Sequence, residues 1–422
     1  LPYHESDHVL NIAYNILAGG VRLEDIELRR QDESFLDGLG AQRIPDPTTA
    51  GDFTRRFSPA TLLILQECIN RTRQRVWRQQ PKGFLEEAFI DVDGSIAGTL
   101  GECKGGMDIS YKGIWGYHPL VVSLANTKEV LFLVNRPANV SSHQDSVEWI
   151  DRAIELVRPH AGRITLRGDT DFSHTTQLDR WDNGGLKFIL GLDAHPKAVA
   201  LADALSAKAW TPLARVPTYE ILTEPRTKPD RVKEAIVRER GFRNIVLKSE
   251  DVTQVDYQPK ACSKSYRLVI VRKNLSVQRG EKELFEEVRY FFYLTNKWEL
   301  GLPEVIGQAN GRCDQENVIA QLKGGVNAMR MPVDDLVSNG AYMVMAALAW
   351  NLKAWFALLV PERERGLELL RMEFRGFLQA IVLVPCQIVR TARRIVWRVL
   401  SYNRWLSDLF ATFERVMTFE PG

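Results

Sequence analysis

Three acidic residues in this chain have the type and the placement that metal-dependent chemistry requires. Asp93 ends the apolar run in "FLEEAFIDVD", Asp169 ends the alternating run in "RITLRGD", and Glu316 lies in "GRCDQENVIAQLKGG". Hard divalent cations such as Mg²⁺ prefer carboxylate oxygens as ligands. Two such ions about 4 Å apart can activate an attacking oxygen and stabilise a leaving oxygen on one phosphate. The residue types therefore predict a metal-dependent phosphoryl-transfer site.

Two basic residues accompany Glu316. At about 100° per residue on a continuous helix, Arg312, Glu316 and Lys323 fall within about 40° of one another. We predict that Glu316 binds metal while Arg312 and Lys323 contact phosphates. An adjoining apolar stripe would pack on a sheet, and it consists of Val318, Ile319, Leu322 and Val326.

Each of these features alone has an ordinary structural explanation. An Asp at the end of a strand is most often a turn or cap residue, and an Arg–Glu pair four residues apart on a helix is more often a surface ion pair. Paired carboxylates also occur in sugar-cleaving enzymes, but the cations that flank Glu316 suit a phosphate better than a neutral sugar. Two further acids, Asp91 and Asp171, are expected to lie just behind the metal ligands.

The elements that must position these residues can be predicted from the pattern. From residue 84 the order of apolar runs is β, β, β, α, β, α, β, which indicates a mixed α/β sheet in which Asp93 and Asp169 end strands. Residues 7–80 are predicted to be helical, with one helix ending at Gly19-Gly20 and another beginning near Pro59. The second helix carries arginines that form either a solvated face or a DNA-facing surface. They are Arg71, Arg73, Arg75 and Arg78.

Residues 197–287 differ in composition from the sheet region. Basic residues recur there and two stretches alternate like strands, so we predict a β-rich module inserted into the sheet, with "FFYLTN" returning to the core. Its basic residues would contact phosphates or, alternatively, form a solvated surface. Further on, "GAYMVMAALAWNLKAWFALLVP" is predicted to be a buried helix rather than a membrane span, because Asn351 and Lys353 interrupt it. The segment "CQIVRTARRIVWRVL" fits a strand pair or a helix.

The overall composition excludes some classes of protein. The 422 residues carry 55 Lys and Arg against 53 Asp and Glu, so any nucleic-acid-binding surface must be local. The five cysteines are odd in number and show no Cys-x-x-Cys spacing, which argues against a disulfide framework and a zinc cluster. With no signal peptide visible at the start, these features predict a reducing cytoplasm.

In combination, the motifs resemble those of bacterial insertion-sequence transposases of the DDE superfamily. The chain is most similar to the group with a Tyr-(2)-Arg-(3)-Glu-(6)-Lys signature, and within it to the insertion sequence 1380 family. "DVDGS" and "RGDTDF" match the two aspartate motifs, and "GRCDQENVIAQLKGG" supplies the Arg, Glu and Lys. The resemblance extends over roughly residues 10–400, with "GYHPLVVSLANT" and "RPANVSSHQDS" among the matching stretches. One departure is Ala309, which stands where the family has its signature tyrosine.

The resemblance implies a fold and a division into domains. The expected fold is an α/β RNase H-like catalytic core interrupted by a β-rich insertion, with a helical N-terminal domain and a mostly helical C-terminal region. The implied domains are a DNA-binding or dimerisation region (1–80), the first part of the core (81–196), the insertion (197–287), the second part of the core with the glutamate helix (288–335) and the C-terminal region (336–422).

The resemblance also implies an activity. Two Mg²⁺ or Mn²⁺ ions held by Asp93, Asp169 and Glu316 would support hydrolysis at the element's ends and joining of the 3′ ends to target DNA, as in cut-and-paste transposition. The implied partners are double-stranded DNA, as terminal inverted repeats and as target, and a second copy in a synaptic homodimer. No membrane is implied, and the expected location is the bacterial cytoplasm, with the nucleoid. Two alternatives stay open: a metal-dependent nuclease that does not join DNA, and a domesticated DNA-binding protein, which Ala309 keeps open.

Overall fold

The computed structural model describes residues 3–215, 231–392, 394–400 and 402–418. The chain divides into two compact units, the first formed by Leu1–Ile164 and Asp314–Gly422 and the second by Thr165–Cys313. Both units combine helices with strands, which confirms the mixed α/β class. The boundaries of the five domains inferred from the sequence stay a prediction.

Helices open the first unit, as predicted for residues 7–80. Helix α1 ends as expected because Gly19 takes a φ of 89°, which a residue with a side chain rarely adopts. The predicted long helix begins at Pro59, where the Ser58 hydroxyl accepts the Thr61 N–H and caps the first turn. The helices are α1 (Glu5–Leu17), α2 (Ile26–Arg30), α3 (Glu33–Leu39), α4 (Pro47–Thr54) and α5 (Pro59–Arg78).

Arg73 of α5 fits neither of the two roles predicted for the arginines of this helix. Its guanidinium is fully buried and donates to the Glu129 carboxylate at 2.9 Å. The indole N–H groups of Trp77 and Trp355 donate to the same carboxylate at 2.9 and 2.6 Å. Removing one partner from such a buried pair typically costs about 3–5 kcal/mol. Arg73 therefore belongs to the core, and only Arg71, Arg75 and Arg78 are exposed.

The strands of the first unit carry Asp93. Strand β1 pairs antiparallel with β5, β5 pairs antiparallel with β6, and the first residues of β7 lie beside β1. Strands β2, β4 and β3 form a small separate sheet. Helix α6 begins at Ser146, directly after Asp145, which takes a left-handed φ of 57°. The elements are β1 (Leu85–Gly94), β2 (Ala97–Gly98), β3 (Asp108–Ile109), β4 (Trp115–Tyr117), β5 (Leu120–Leu124), β6 (Glu129–Val134), α6 (Ser146–Val157) and β7 (Ala161–Gly168).

The second unit begins within β7. The end of β7 pairs in parallel with β8, and the sheet of this unit continues in the order β8-β12-β11-β10-β9 through antiparallel pairs. The elements are α7 (Leu178–Asn183), β8 (Lys187–Leu192), α8 (Pro196–Asp203), β9 (Thr211–Pro212), α9 (Val232–Glu239), β10 (Arg243–Tyr257), β11 (Tyr266–Arg279), β12 (Lys282–Thr295) and α10 (Leu302–Asn310).

The described part of residues 197–287 is β-rich, as predicted, but it is not a module separate from the sheet. Strands β10, β11 and β12 are long, and Phe292–Thr295 at the end of β12 pair with Ile189–Leu192 of β8. "FFYLTN" therefore does return to the core, but as the end of a strand that also belongs to the supposed insertion. Residues 216–230 of this region lie outside the described part of the chain.

Several basic residues of this region pair with acids in the same unit. Lys248 contacts Glu283 and Glu286, and Arg272 contacts Asp251. Lys264 and Lys273 likewise contact carboxylates. The prediction of phosphate contacts therefore applies mainly to other exposed basic residues of this region. These exposed residues include Lys233, Arg238, Arg240, Arg243 and Lys260.

The chain then returns to the first unit. The elements are α11 (Cys313–Ala320), α12 (Leu336–Leu359), α13 (Arg363–Arg371), α14 (Phe374–Phe377), β13 (Cys386–Arg390), β14 (Ile395–Val399) and α15 (Leu406–Met417). Strands β13 and β14 form an antiparallel hairpin, which decides between the two structures that the sequence allowed for "CQIVRTARRIVWRVL".

Helix α12 is long and apolar enough to cross a membrane by length and composition, but 83% of its most apolar window is buried inside the protein. Its two polar interruptions are satisfied there. The Asn351 side chain bonds both the N–H and the carbonyl of Val130, and Lys353 donates to the Leu370 carbonyl at 2.9 Å. Burial lowers the pKa of Lys353 to about 7. The prediction of a buried core helix is confirmed.

Candidate active site

Asp169 stands at the carboxyl end of β7, in the second unit. Strand β7 ends at Gly168, and Asp169 caps the short 3₁₀ turn Thr170–Phe172 that follows. One Asp169 carboxylate oxygen accepts the Asp171 N–H at 3.0 Å. The buried Phe172 ring anchors the turn. The strand therefore presents the Asp169 carboxylate at its end, as the sequence predicted.

The surroundings of Asp169 disfavour its negative charge. Burial raises the pKa of the Asp169 carboxyl, and the Arg312 guanidinium, 4.0 Å away, opposes that rise. Nearby negative charges on Asp171 and Asp193 act in the same direction as burial. A bound cation would offset both the burial and the repulsion, so the electrostatics of this carboxylate suit a metal ligand.

A pocket of about 420 Å³ opens beside Asp169 within the second unit. Its wall combines Asp169, Asp193 and Arg312 with the apolar and aromatic residues of β8 and β12. Asp193 was missed in the sequence analysis. The signal for it was present, because Asp193 follows the strand "KFILGL" in the way that Asp169 follows "RITLRG".

Arg312 is held by the end of α10 rather than by a helix of its own. The buried Arg167 side chain of β7 donates to the Gln308 carbonyl at 2.9 Å, and Lys297 donates to the Gln308 side chain at 2.7 Å. A Cβ atom on Gly311 would lie 2.4 Å from the Arg167 guanidinium, so a larger residue there would displace it. These contacts fix the turn that carries Arg312 against β7.

The single continuous helix on which the sequence placed Arg312, Glu316 and Lys323 is not present, so the common face inferred from it stays a prediction. Helix α11 begins at Cys313, so Arg312 lies in the turn before it. After Ala320 the chain continues as a π-helical turn, Gln321–Gly325, in which 100° per residue no longer applies. The predicted apolar stripe does exist, since Val318, Ile319, Leu322 and Val326 are all buried.

Asp93 and Glu316 both belong to the first unit. Asp93 is near the end of β1, opposite Val121 of β5 in the sheet register. The Gln315 side chain donates to the Val121 carbonyl at 3.0 Å and bonds the Ser123 hydroxyl. Glu316 is exposed and follows Gln315 directly. The start of α11 is therefore anchored on the strand next to Asp93, one residue before Glu316.

Lys323 lies within electrostatic reach of Asp93. Its ammonium donates to the Ile96 carbonyl at 2.9 Å. Burial and the charge of Lys112 lower the pKa of Lys323, and the negative charge of Asp93 opposes that effect. The fold thus brings a carboxylate and a cation from distant parts of the chain together in this unit.

Two other residues support the Asp93 end of β1. Asp91 is fully buried opposite Ser123, and its predicted role behind the metal ligands stays a prediction. A Cβ atom on Gly94 would lie 2.6 Å from His118 Nε2, so the histidine ring packs directly against the residue after Asp93. His118 was missed, because a lone histidine between two strands carries no sequence signal.

The predicted metal ligands are divided between the units, with Asp93 and Glu316 in the first and Asp169 in the second. Among the described residues, no three His, Cys, Asp or Glu side chains form a preassembled group able to hold a metal ion. The assignment of these three carboxylates as metal ligands therefore stays a prediction.

Ala309, at the place of the signature tyrosine, lies near the end of α10 and lines the pocket beside Asp169. It packs with Tyr293 against a small apolar core of the second unit. Tyr293 lines the same pocket, and burial raises the pKa of its phenol. A tyrosine is thus present in the pocket, but on β12 rather than on α10.

Comparisons with known proteins identify the family. The family model described as "Transposase DDE domain group 1" matches residues 2–418. No curated protein matches the chain. One similar solved structure is a cryo-EM structure of the piggyBac transposase synaptic complex with hairpin DNA, with a TM-score of 0.36 and 11% sequence identity; the match covers 88% of this chain and 72% of that chain. Because the family model spans nearly the whole sequence, the chain belongs to the DDE-domain transposases of group 1.

Proposed function

We propose that this transposase hydrolyses DNA at the ends of its element and joins the freed 3′ ends to target DNA. The observation that carries the proposal is the pair formed by Asp169 and Arg312 at the end of β7, in a chain of the DDE transposase family. Burial disfavours the charge of the Asp169 carboxylate, which suits it to bind a cation. The Arg312 guanidinium beside it suits a phosphate.

The residues present fit the divalent metal ions that DDE transposases generally use. Asp93, Asp169 and Glu316 would hold two ions of Mg²⁺ or Mn²⁺, because all three offer the hard oxygen ligands that these cations prefer. When bound, such ions supply activation of the attacking oxygen and stabilisation of the leaving oxygen. Asp91 and Asp171 would support the ligands from behind.

The protein's own cations would position the DNA. Arg312 presents a planar fork of donors from a turn fixed by Arg167, which suits two oxygens of one phosphate. Lys323 offers a point charge from the first unit. Both would hold the scissile region while the attacking hydroxyl or water approaches in line.

The finer features of the proposal rest on the sequence motifs. They are an RNase H-like core, similarity to the insertion sequence 1380 family, a cut-and-paste reaction on terminal inverted repeats, a synaptic homodimer, and action in the bacterial cytoplasm. The antiparallel strands β1, β5 and β6, together with the parallel pair β7 and β8, support the RNase H-like core.

The decisive experiment incubates the full chain with its own element's ends and Mg²⁺, and reads cleavage and joining products separately. The proposal predicts both products from the wild type and neither from Glu316→Gln. A matched control is Asp314→Asn, which changes an exposed acid on the same helix that is paired with Lys128 at 3.2 Å. Cleavage without joining would support the nuclease alternative, and DNA binding without either product would support the domesticated DNA-binding protein.

A further inference from the structure

The small sheet of β2, β3 and β4 directly follows the strand that carries Asp93. Strand β1 ends one residue after Asp93, and β2 begins after a two-residue link. At the start of the small sheet, Ala97 pairs with Tyr117. Lys323 donates to the Ile96 carbonyl in the link at 2.9 Å, so this end of the sheet lies beside the cation predicted to meet a phosphate. The small sheet is therefore attached to the Asp93 end of β1.

The other end of the small sheet exposes large side chains to solvent. Leu100 and Tyr111 are 99 and 81% exposed. The Thr99 N–H donates to the Trp115 carbonyl, which places Leu100 at the same end as the turn 110–114, where Tyr111 lies. Because the fold does not bury this aromatic ring and its leucine neighbour, both are free to contact a partner.

Hydrogen bonds hold the turn that carries Tyr111 in one conformation. The Ser110 N–H donates to the Ile114 carbonyl at 2.9 Å, and the Gly113 N–H donates to the Ser110 carbonyl at 2.8 Å. The Ser110 hydroxyl also accepts the Ile114 N–H at 3.1 Å. Gly113 takes a φ of 72°, which a residue with a side chain rarely adopts. A side chain on such a fixed turn can bind a partner with little loss of backbone entropy.

The small sheet is also anchored to the segment before α12, in the same unit. Lys104 donates to the carbonyls of Met331 and Val333, each at 2.7 Å. The Gly105 N–H donates to the Asp334 carbonyl at 2.6 Å. The ammonium of Lys104 therefore stabilises the fold, and a second lysine of this sheet has a different environment.

That second lysine is Lys112, which is exposed next to Tyr111 on the turn. Its ammonium lies 5.3 Å from the centre of the Tyr111 ring. Its positive charge lowers the pKa of Lys323, and the negative charge of Asp93 has the opposite effect, so the three charged groups are neighbours. An aromatic ring and a cation side by side match a nucleotide, which offers the face of its base to the ring and its phosphate to the cation.

The exposed ring favours an unpaired base over a paired one. Inside a duplex, the neighbouring base pairs cover both faces of each base, whereas an unpaired base can turn a face toward a side chain. We propose that Tyr111 stacks on an unpaired base of the DNA strand bound beside Asp93, while Lys112 contacts a phosphate of that strand. The inference rests on the proposed function for the position of the DNA at Asp93.

The first test compares the binding of two DNA molecules by the full chain, without metal. Each is the same duplex with a short single-stranded tail, which consists of thymidines in one and of abasic residues in the other. Because both tails carry the same phosphates, the ratio of the two affinities measures contacts with the bases. The wild type should bind the thymidine tail roughly 5- to 100-fold more tightly. Tyr111→Ala should abolish this preference, and Tyr111→Phe should keep it.

Two further variants separate stacking from charge and from general effects. Lys112→Ala should weaken binding of both tails by the same factor and reduce the salt dependence by about one phosphate contact. Phe413→Ala removes a ring that is 60% exposed on α15, outside the small sheet, and should bind both tails like the wild type. A wild type that does not distinguish the tails, or a Tyr111→Ala variant that still does, would overturn the proposal. A loss from Lys112→Ala on the thymidine tail alone would contradict the phosphate contact.

Photocrosslinking locates the base without relying on affinity. A single 5-iododeoxyuridine in the tail, excited at long wavelength, couples to an aromatic side chain stacked on it. Mass spectrometry should find the crosslink on Tyr111 in the wild type, and a crosslink found only on other residues would refute the contact. Neither test needs catalysis, so the two proposals can fail separately. Normal cleavage and joining without a base preference would refute only the stacking, whereas a Tyr111 crosslink without cleavage would refute only the proposed reaction.

Discussion

The two units present a carboxylate and a cation in different ways. In the second unit, Arg312 lies 4.0 Å from Asp169, in a turn that Arg167 fixes to β7. In the first unit, Lys323 is within the field of Asp93, but burial and the charge of Lys112 lower the pKa of its ammonium. The second unit therefore holds a guanidinium in a fixed turn, whereas the first holds an ammonium whose pKa its surroundings lower. The sequence placed Arg312 and Lys323 on one face, but this contrast predicts that they have different roles.

The largest expected effect comes from the carboxylates, which should be equally essential in both units. Asp93→Asn and Asp169→Asn should each reduce cleavage by about 10³-fold or more, because each removes a charged ligand from the proposed metal site. Filter binding of element ends should be retained. The Asp314→Asn control should cleave at the wild-type rate. If one aspartate variant kept substantial activity, the two units would not contribute equally to the site.

If both units contribute ligands to one metal site, the Asp93, Asp169 and Glu316 carboxylates should converge when metal and DNA are bound. A crystal structure of that complex with Mn²⁺ should show anomalous scattering between Asp93, Asp169 and Glu316, because two-metal sites are only about 4 Å across. A separation of more than about 10 Å between any two of these carboxylate groups would contradict the ligand assignment.

Arg312→Lys should reduce cleavage and joining by roughly 10- to 100-fold, because a point charge cannot replace a fork that binds two phosphate oxygens. Rates on intact and pre-nicked ends would measure the effect. If Arg312 served only in a surface ion pair, worth about 0.5 kcal/mol or less, both rates would stay near the wild type. A loss confined to folding stability, with normal rates for the folded fraction, would also count against the assigned role.

Gly191→Ala tests the rigidity of the second unit with a smaller change. The added Cβ would lie 2.8 Å from the Thr170 nitrogen and 2.9 Å from the Asp169 carbonyl carbon, both backbone atoms that cannot move independently. We expect about a tenfold loss of cleavage from displacement of the Asp169 turn. Gly307→Ala is the matched control, since its Cβ meets nothing within 4 Å and alanine favours the helix. Equal activity of the two variants would show that this turn tolerates displacement.

The smallest effect is expected for Lys323→Ala, which should weaken DNA-end binding several-fold and reduce the salt dependence by about one phosphate contact. Titrations at several salt concentrations would measure both. Because the pKa of Lys323 is lowered, its charge is present below that pKa and lost as the pH rises through it. The wild type should therefore lose its advantage over the variant as the pH rises. An unchanged salt slope would contradict a phosphate contact.

Much of the local structure could be predicted because it depends on neighbouring residues. The alternation in "RITLRGD" predicted a strand ending beside Asp169, and the glycines after α1 predicted its end. The polar interruptions at Asn351 and Lys353 correctly marked α12 as a buried helix, since each could find a partner in a protein core. The carboxylates of the candidate site were named from such local patterns.

Other features were decided only by contacts between distant segments. The sequence placed Arg73 on a surface, but Glu129 draws it into the core, because a buried carboxylate needs a charged partner. It placed Arg312 on the Glu316 helix, but the fold holds Arg312 in a turn that Arg167 fixes from β7. It separated residues 197–287 from the sheet, but hydrogen bonds between β12 and β8 join them. Sequence by itself determined which residue types end each strand, whereas tertiary structure decided which of them meet, because charge pairing and strand pairing act between residues far apart in the chain.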